Sequence, residues 1–272
     1  MMSVLQNGFD YNKKMISIII TTKNGSAFIE NAIKSIQAQT EKDFELIIIS
    51  DGSTDNTEKI VTTIAGTDSR IKLIHLDQCV GPGKARALAI EKSQGEFIAI
   101  LDDDDVWISN QKLAIQKTFL IDNPGYVLVG SDHVQLVDEH KKPLYVFESE
   151  KNSADINQHF LLHNPFVTSS VMFRKDAYIR AGGFSDLRLA EEYELWLKMG
   201  TLGNVANLQK CEVQYMQRAS GLTLSRKQDM NKIVLHLVKR HKYDYPLYHL
   251  ALLKCYLRII LGWLKLRIRS PL

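Results

Sequence analysis

The sequence predicts an α/β fold, a mostly parallel central sheet flanked by helices, with a helical extension at the C-terminus. Three observations predict it. Short apolar runs rich in β-branched residues recur along the first 101 residues, helical spacing fills the gaps between them, and the runs end in polar clusters. Buried parallel strands read as continuous apolar runs, and strands alternating with helices imply right-handed βαβ units.

The elements follow in order. Ile16–Ile20, Leu46–Ile49, Ile71–Leu76 and Phe97–Leu101 are the candidate strands. Between them, Ala27–Gln39 places Ile29, Ile33 and Ile36 on one helical face, and Ser53 or Thr54 is positioned to cap a helix through Ile64. Gly83–Ser93 groups Ala87 and Ile90 with Ala85 and Ala89. After Asp122 the rhythm changes: NPG at 123–125 is a turn, and Tyr126–Gly130 and Val134–Val137 read as strands. Ile156–Leu162 reads as helix, Ser169–Phe173 as extended, Ala190–Met199 as an amphipathic helix and Val213–Met216 as extended. With no repeat and no evident linker, one fused domain over 1–220 is expected, its halves dividing near 122, followed by a helical extension over 221–272.

Charge and cysteine content exclude several classes. Residues 254–272 carry five basic residues and no acid, while the remainder is net −2, so the chain body gives no case for nucleic-acid binding. Cys79, Cys211 and Cys255 are scattered, without zinc spacing, which suggests a reducing compartment. The first residues, MMSVLQNGFDYNKK, lack the apolar core of a signal peptide, and a cytoplasmic chain is expected.

The polar clusters carry the chemistry. The first strand ends in TTKNG (21–25), the second in DGSTD (51–55) and the fourth in DDDD (102–105). In a parallel sheet all three emerge at the carboxyl edge, where open α/β sheets bind ligands. Four adjacent carboxylates repel one another unless a cation is present, and clustered hard oxygens suit Mg²⁺ or Mn²⁺. A solvated acidic loop is the alternative. An EF-hand is excluded, because Val106 occupies its fifth position and no glycine follows at the sixth. GPGKAR (81–86) is neither a P-loop nor a dinucleotide fingerprint, but its turn and Arg86 could meet an anion.

Four stretches in order, IIITTKNG, DFELIIISDGSTDNT, GPGKARALAIEKSQGEFIAILDDDDVW and SSVMFRKDAYIRAGGFSDLRLAEEYELWLKM, together resemble the family 2 glycosyltransferases over roughly residues 15–220. The resemblance implies the Rossmann-like GT-A fold, a nucleotide-sugar donor, with UDP favoured, and inversion at the anomeric carbon. It places Thr21, Asn24 and Asp51 at the nucleotide base and Arg86 near base and diphosphate. Asp102-Asp103-Asp104 matches the family's DxD motif: Asp104 as metal ligand, with Asp102 or Asp103 near the ribose and Asp102 a further candidate ligand. Asp105 receives no role. Glu191-Glu192 stands where the family usually has Glu-Asp, which makes Glu192 the expected catalytic base and Glu191 its alternate. The family's habit is bacterial surface-polysaccharide synthesis on a glycan or lipid-linked acceptor. A sugar-phosphate nucleotidyltransferase would need a GGxGxR-type loop after the first strand, which TTKNGSAF does not match. A non-catalytic nucleotide-sugar-binding module of the same fold would show broken acids, and these are intact apart from Glu at 192.

The C-terminal stretch 245–272 is apolar but interrupted by Lys254, Arg258, Lys265 and Arg269, which fall within a roughly 60° arc at 100° per residue. Its uncharged runs are too short to span a bilayer. Two placements remain open: a helix at an anionic membrane surface, peripheral on the cytoplasmic face, or a helix packed on the catalytic domain with a basic outer face.

Overall fold

The computed structural model describes residues 14–138, 140–218 and 226–269. The expectation for the N-terminal leader falls almost wholly outside these residues, and the side chains of Trp263, Lys265 and Arg269 also lie outside the described residues.

The central sheet has seven strands in the order β10-β6-β9-β4-β1-β2-β3. One half comprises β1 (Ile16–Thr22), β2 (Phe44–Asp51), β3 (Ile71–Leu76) and β4 (Phe97–Ile100), all parallel. β6 (Tyr126–Ser131) and β10 (Asn204–Leu208) extend it. Between the halves, β9 (Met172–Arg174) runs antiparallel to both neighbours. A second sheet, not foreseen from the sequence, orders β5 (Val106–Trp107), β11 (Val213–Met216), β7 (His133–Val137) and β8 (Pro143–Glu148). Ser169 and Ser170, expected to be extended, instead form a 3-10 turn over Thr168–Ser170 that leads into β9.

Alternation along β1 sends Ile16, Ile18 and Ile20 to one core and Ile19 to the other, the period-2 pattern of a strand covered on both faces. The first core packs under α1 (Ile29–Gln37) and α2 (Thr57–Ala65). α2 begins later than Ser53 or Thr54. Asp55 accepts from the Thr57 N–H at 2.9 Å, while Ser53 and Thr54 bond Asn24 instead. The second core packs under α3 (Pro82–Lys92) and α7 (Glu191–Gly200), with Trp196 fully buried.

α4 (Lys112–Asp122) has no clear apolar stripe in the sequence, because Lys112 and Gln116 share its buried face with Leu113 and Leu120. α5 (Ser153–His159) and α6 (Lys175–Arg180) complete the second half. At the C-terminus, α8 (Lys227–Arg240) and α9 (Tyr248–Arg269) close the chain. Leu237, Val238, Tyr245, Ala251 and Cys255 join the second core, so the extension packs on the domain. The opposite face of α9 leaves Leu250, Leu253, Tyr256, Leu257, Ile260 and Leu261 about half exposed. Of the two placements considered for this helix, packing on the domain is the one observed. No helix among the described residues is long and apolar enough to cross a membrane.

Candidate active site

The parallel pairing β3-β2-β1-β4 brings the loops after β1, β2 and β4 to one edge. Asn24 and Gly25 follow β1. Asn24 adopts φ 55°, and its side-chain Oδ1 accepts from the Thr54 N–H at 2.8 Å, joining the first loop to the second. Gly25 is required for close approach: a Cβ there would collide with the Asp103 carboxylate and the Thr22 hydroxyl. Thr22 donates to buried Asp103, so this threonine, rather than the half-buried Thr21, ties the first strand to the aspartate run.

Asp51 ends β2 and is buried. Its Oδ1 accepts from the Val80 N–H at 2.7 Å, and its Oδ2 accepts from the Gly81 N–H at 2.9 Å. These bonds hold the turn before α3, where Gly81 takes φ 91°. They also consume donors expected to cradle an anion, and Pro82 has no N–H to add. The GPG turn therefore organises Asp51 and offers a phosphate little.

The four aspartates after β4 differ in environment. Asp102 meets Arg86 at 2.7 Å. Asp103 is buried, and burial raises its acid range against the opposing bond from Thr22. Asp104 meets Arg218 at 2.6 Å. Burial and the charge of Asp102 push its carboxyl up to about 7, with Arg218 opposing. Asp105 is almost fully buried, accepting from the Met216 N–H at 2.8 Å and from the Ser169 hydroxyl. Burial and the charges of Asp102 and Asp104 raise it well above the usual carboxylate range. The fourth acid thus anchors β11 and the 3-10 turn, and Ser169 returns the contact by accepting from the Asp102 N–H at 3.0 Å.

Arg86, on α3, joins this run to α7. Its guanidinium lies 2.7 Å from Asp102, 2.6 Å from Glu192 and 3.5 Å from Glu191. Burial opposes its charge, but these three acids more than offset that and raise its pKa above the ordinary value. Arg86 is 5% exposed at its side chain, so in this structure it brackets two acidic motifs rather than reaching outward to a phosphate. Ala190 enters α7 with φ 57°, turning Glu191 inward and leaving Glu192 more accessible, at 4% and 20% side-chain exposure. Gly83 makes room for Glu191, whose Cγ would lie 3.0 Å from a Cβ there. Burial and the charge of Glu192 push Glu191 up to about 8.

Among the described residues, no three Asp, Glu, His or Cys side chains converge closely enough to cage a metal. One or two carboxylates completed by substrate phosphates and water are nevertheless the usual way a protein holds Mg²⁺. Asp104 and Asp102 fit that pattern: both are hard oxygen donors, and each is now neutralised only by an arginine. Sequence reasoning missed Thr22, Ser169 and Arg218. The serine lay in a stretch noted for resemblance, whereas nothing local marks Arg218, which reaches the site through the pairing of β11.

The comparisons with known proteins agree with this architecture. Residues 17–182, more than half the chain, match the model described as Glycosyl transferase family 2. The amylovoran biosynthesis glycosyltransferase AmsE of Erwinia amylovora is 29% identical over 71% of this chain and 73% of its own length. An uncharacterised glycosyltransferase of Haemophilus influenzae is 39% identical over 50% of this chain and 57% of its own. The Escherichia coli protein WfgD, a UDP-Glc:α-D-GlcNAc-diphosphoundecaprenol β-1,3-glucosyltransferase, is 38% identical over 43% of this chain and 45% of its own. The matches thus span about half the length of the Haemophilus and E. coli relatives. Among solved structures, Staphylococcus aureus TarS (residues 1–349, with UDP-GlcNAc) superposes with TM-score 0.67 at 19% identity, over 90% of this chain and 72% of that one. The Pyrobaculum calidifontis mannosyltransferase PcManGT, with GDP-Man and Mn²⁺, superposes with TM-score 0.68 at 16% identity, over 97% and 78%. The fold is GT-A, and the chain belongs to glycosyltransferase family 2.

Proposed function

We propose that the chain is a metal-dependent, inverting glycosyltransferase that moves a sugar from a UDP-sugar to a lipid-linked glycan in bacterial polysaccharide synthesis. The observation that carries this reading is the single guanidinium of Arg86 bonded to both Asp102 and Glu192, which puts the donor-side acids and the candidate base in one site. Similarity to WfgD supports the lipid diphosphate acceptor, and TarS and WfgD both support UDP.

Each residue has a derivable part. Thr21, Asn24 and Asp51 form the base end, fixed by the bonds that join the first two loops and the turn before α3. Asp102 or Asp103 would lie near the ribose, and Asp104 with Asp102 would hold Mn²⁺ or Mg²⁺. The ion, when bound, supplies positive charge to the departing diphosphate. Glu192 takes the acceptor's hydroxyl proton as the oxygen attacks the anomeric carbon. Glu191 is poorly suited to that step, because it is buried and keeps its own proton near neutrality. Its part is to hold Arg86, which aims Glu192. A single displacement inverts the anomeric centre, as the family resemblance implies.

The exposed apolar face of α9, flanked by Lys254 and Arg258, suits an anionic membrane surface where a lipid-linked acceptor resides. Flotation with anionic vesicles tests this part: wild type should float, and a variant carrying Leu253→Glu, Leu257→Glu and Ile260→Glu should not. Equal flotation of the two would refute it. The activity itself is tested by screening nucleotide sugars for Mn²⁺-dependent turnover with a polyprenyl-diphosphate acceptor. Turnover of a UDP-sugar with an inverted product is expected, and no turnover of any donor would refute the enzyme reading.

A further inference from the structure

Arg218 has no part in the reading above, and its position gives it one. It follows β11 by two residues. The backbone leading to it is fixed independently of its side chain: the Met216 N–H donates to Asp105 at 2.8 Å, and the Gln217 N–H donates to the Val137 carbonyl at 2.8 Å. The strand end therefore does not need the Arg218 side chain to stay in place. That side chain reaches Asp104 at 2.6 Å and passes over the ring of Phe28 at 5.3 Å. It spans from the loop after β1 to the loop after β4, across the edge where the donor diphosphate is proposed to lie.

The two arginines of this cluster differ. Arg86 is buried and committed to three acids, whereas Arg218 is 32% exposed and among the described residues pairs with one, itself 12% exposed. The Arg218 end of this pair reaches solvent, so its guanidinium has room to leave the carboxylate. A divalent cation on Asp104 and an arginine on the same carboxylate compete for one site and repel each other. Displaced from Asp104, the guanidinium would be free to turn toward a donor bound at this edge, and its fork geometry suits phosphate oxygens.

We propose that Arg218 is an exchangeable cation. It neutralises Asp104 before the donor arrives, yields that carboxylate to the divalent ion, and then binds the donor diphosphate. Metal and diphosphate thereby become coupled through one side chain: the ion costs more to bind alone, and the diphosphate gains a partner once the ion is in place.

This rests on the proposed donor site, and the test separates the two. Binding of Mn²⁺ alone and of UDP at saturating Mn²⁺ would be titrated for wild type, Arg218→Ala and Arg218→Lys, each checked for folding by circular dichroism. Arg218→Ala should bind Mn²⁺ alone several-fold tighter and UDP about tenfold weaker, the loss of one charge-assisted contact. Arg218→Lys keeps the charge but not the fork, so its Mn²⁺ affinity should stay near wild type while UDP weakens. It also serves if the alanine variant does not fold. Mn²⁺ affinity unchanged or weakened in Arg218→Ala, or UDP affinity unchanged in both variants, would overturn the proposal. A wild type that binds no UDP would overturn the donor reading, and the Mn²⁺ titration would still decide whether Arg218 competes for Asp104.

Discussion

Asp51 and Asp105 on one side, and Asp102, Asp104 and Glu192 on the other, show two ways of keeping carboxylates at one sheet edge. The first pair accepts main-chain N–H groups, from Val80 and Gly81 at Asp51 and from Met216 at Asp105. The second group is neutralised by the side chains of Arg86 and Arg218. A main-chain donor within a folded loop cannot leave without unfolding that loop. An arginine with a path to solvent, as at Arg218, can rotate away and be replaced by another cation, whereas Arg86 is buried among its acids. The first acids therefore shape the site, and the second are the ones the proposed reading assigns to metal and proton.

If that division is right, changing the second group should cost function while sparing the fold, and changing Asp105 should cost stability first. The largest effect is expected at the base. Glu192→Gln should lower kcat by about 10²–10⁴-fold while leaving Mn²⁺-dependent UDP affinity nearly unchanged. A matching loss for Glu191→Gln at unchanged melting temperature would exchange the roles of the two glutamates. Next, Asp104→Asn should cost about 10²–10³-fold in turnover and remove the metal dependence of UDP binding, with little change in melting temperature.

On the structural side, Asp105→Ala leaves the Met216 N–H and the Ser169 hydroxyl without their acceptor. Chemical denaturation should show about 2–3 kcal/mol of lost stability. An unchanged midpoint would place Asp105 among the exchangeable acids.

The smallest effect probes a buried charge of neither kind. Lys112 is fully buried, bonded to Gln116 at 2.7 Å, and sits 4.3 Å from the Trp107 ring centroid. Burial lowers it from 10.5 to about 7. The titratable group facing it is Cys211, whose thiol burial pushes up to about 12 and thus keeps neutral. With the folded value depressed, the unfolded chain binds more protons between about pH 7 and 10.5, so stability should rise with pH across that window. Lys112→Met should flatten that slope, read from denaturation midpoints at pH 7 and pH 9, and an unaltered slope would contradict the assignment.

What was legible in the sequence follows the same division. The strands β1 to β4 announce themselves because both their faces are covered, so each reads as an unbroken apolar run. The acids at their ends could be assigned to one edge from topology alone. The second sheet was not legible: β5 is two residues long and β8 is largely exposed, so neither carries a hydrophobic signature. α4 was hidden by Lys112 and Gln116 on its buried face. At the site, the identity of the acids was readable but their partners were not. Arg218 reaches Asp104, and Met216 reaches Asp105, only because β11 pairs beside β5 and β7, a long-range event with no local signal. The run of four aspartates looked uniform, and the structure separates them into an arginine-bracketed acid, a threonine-bonded acid, a candidate metal ligand and a buried anchor.

The most direct test of the central claim is calorimetric titration of the wild-type chain with UDP, once with Mn²⁺ and once with EDTA. The account predicts saturable binding with Mn²⁺ and at least a tenfold loss of affinity, about 1.4 kcal/mol, without it. Binding of equal strength in both, or no binding in either, would contradict the assignment of the Asp102–Asp104 edge to a metal-held nucleotide diphosphate.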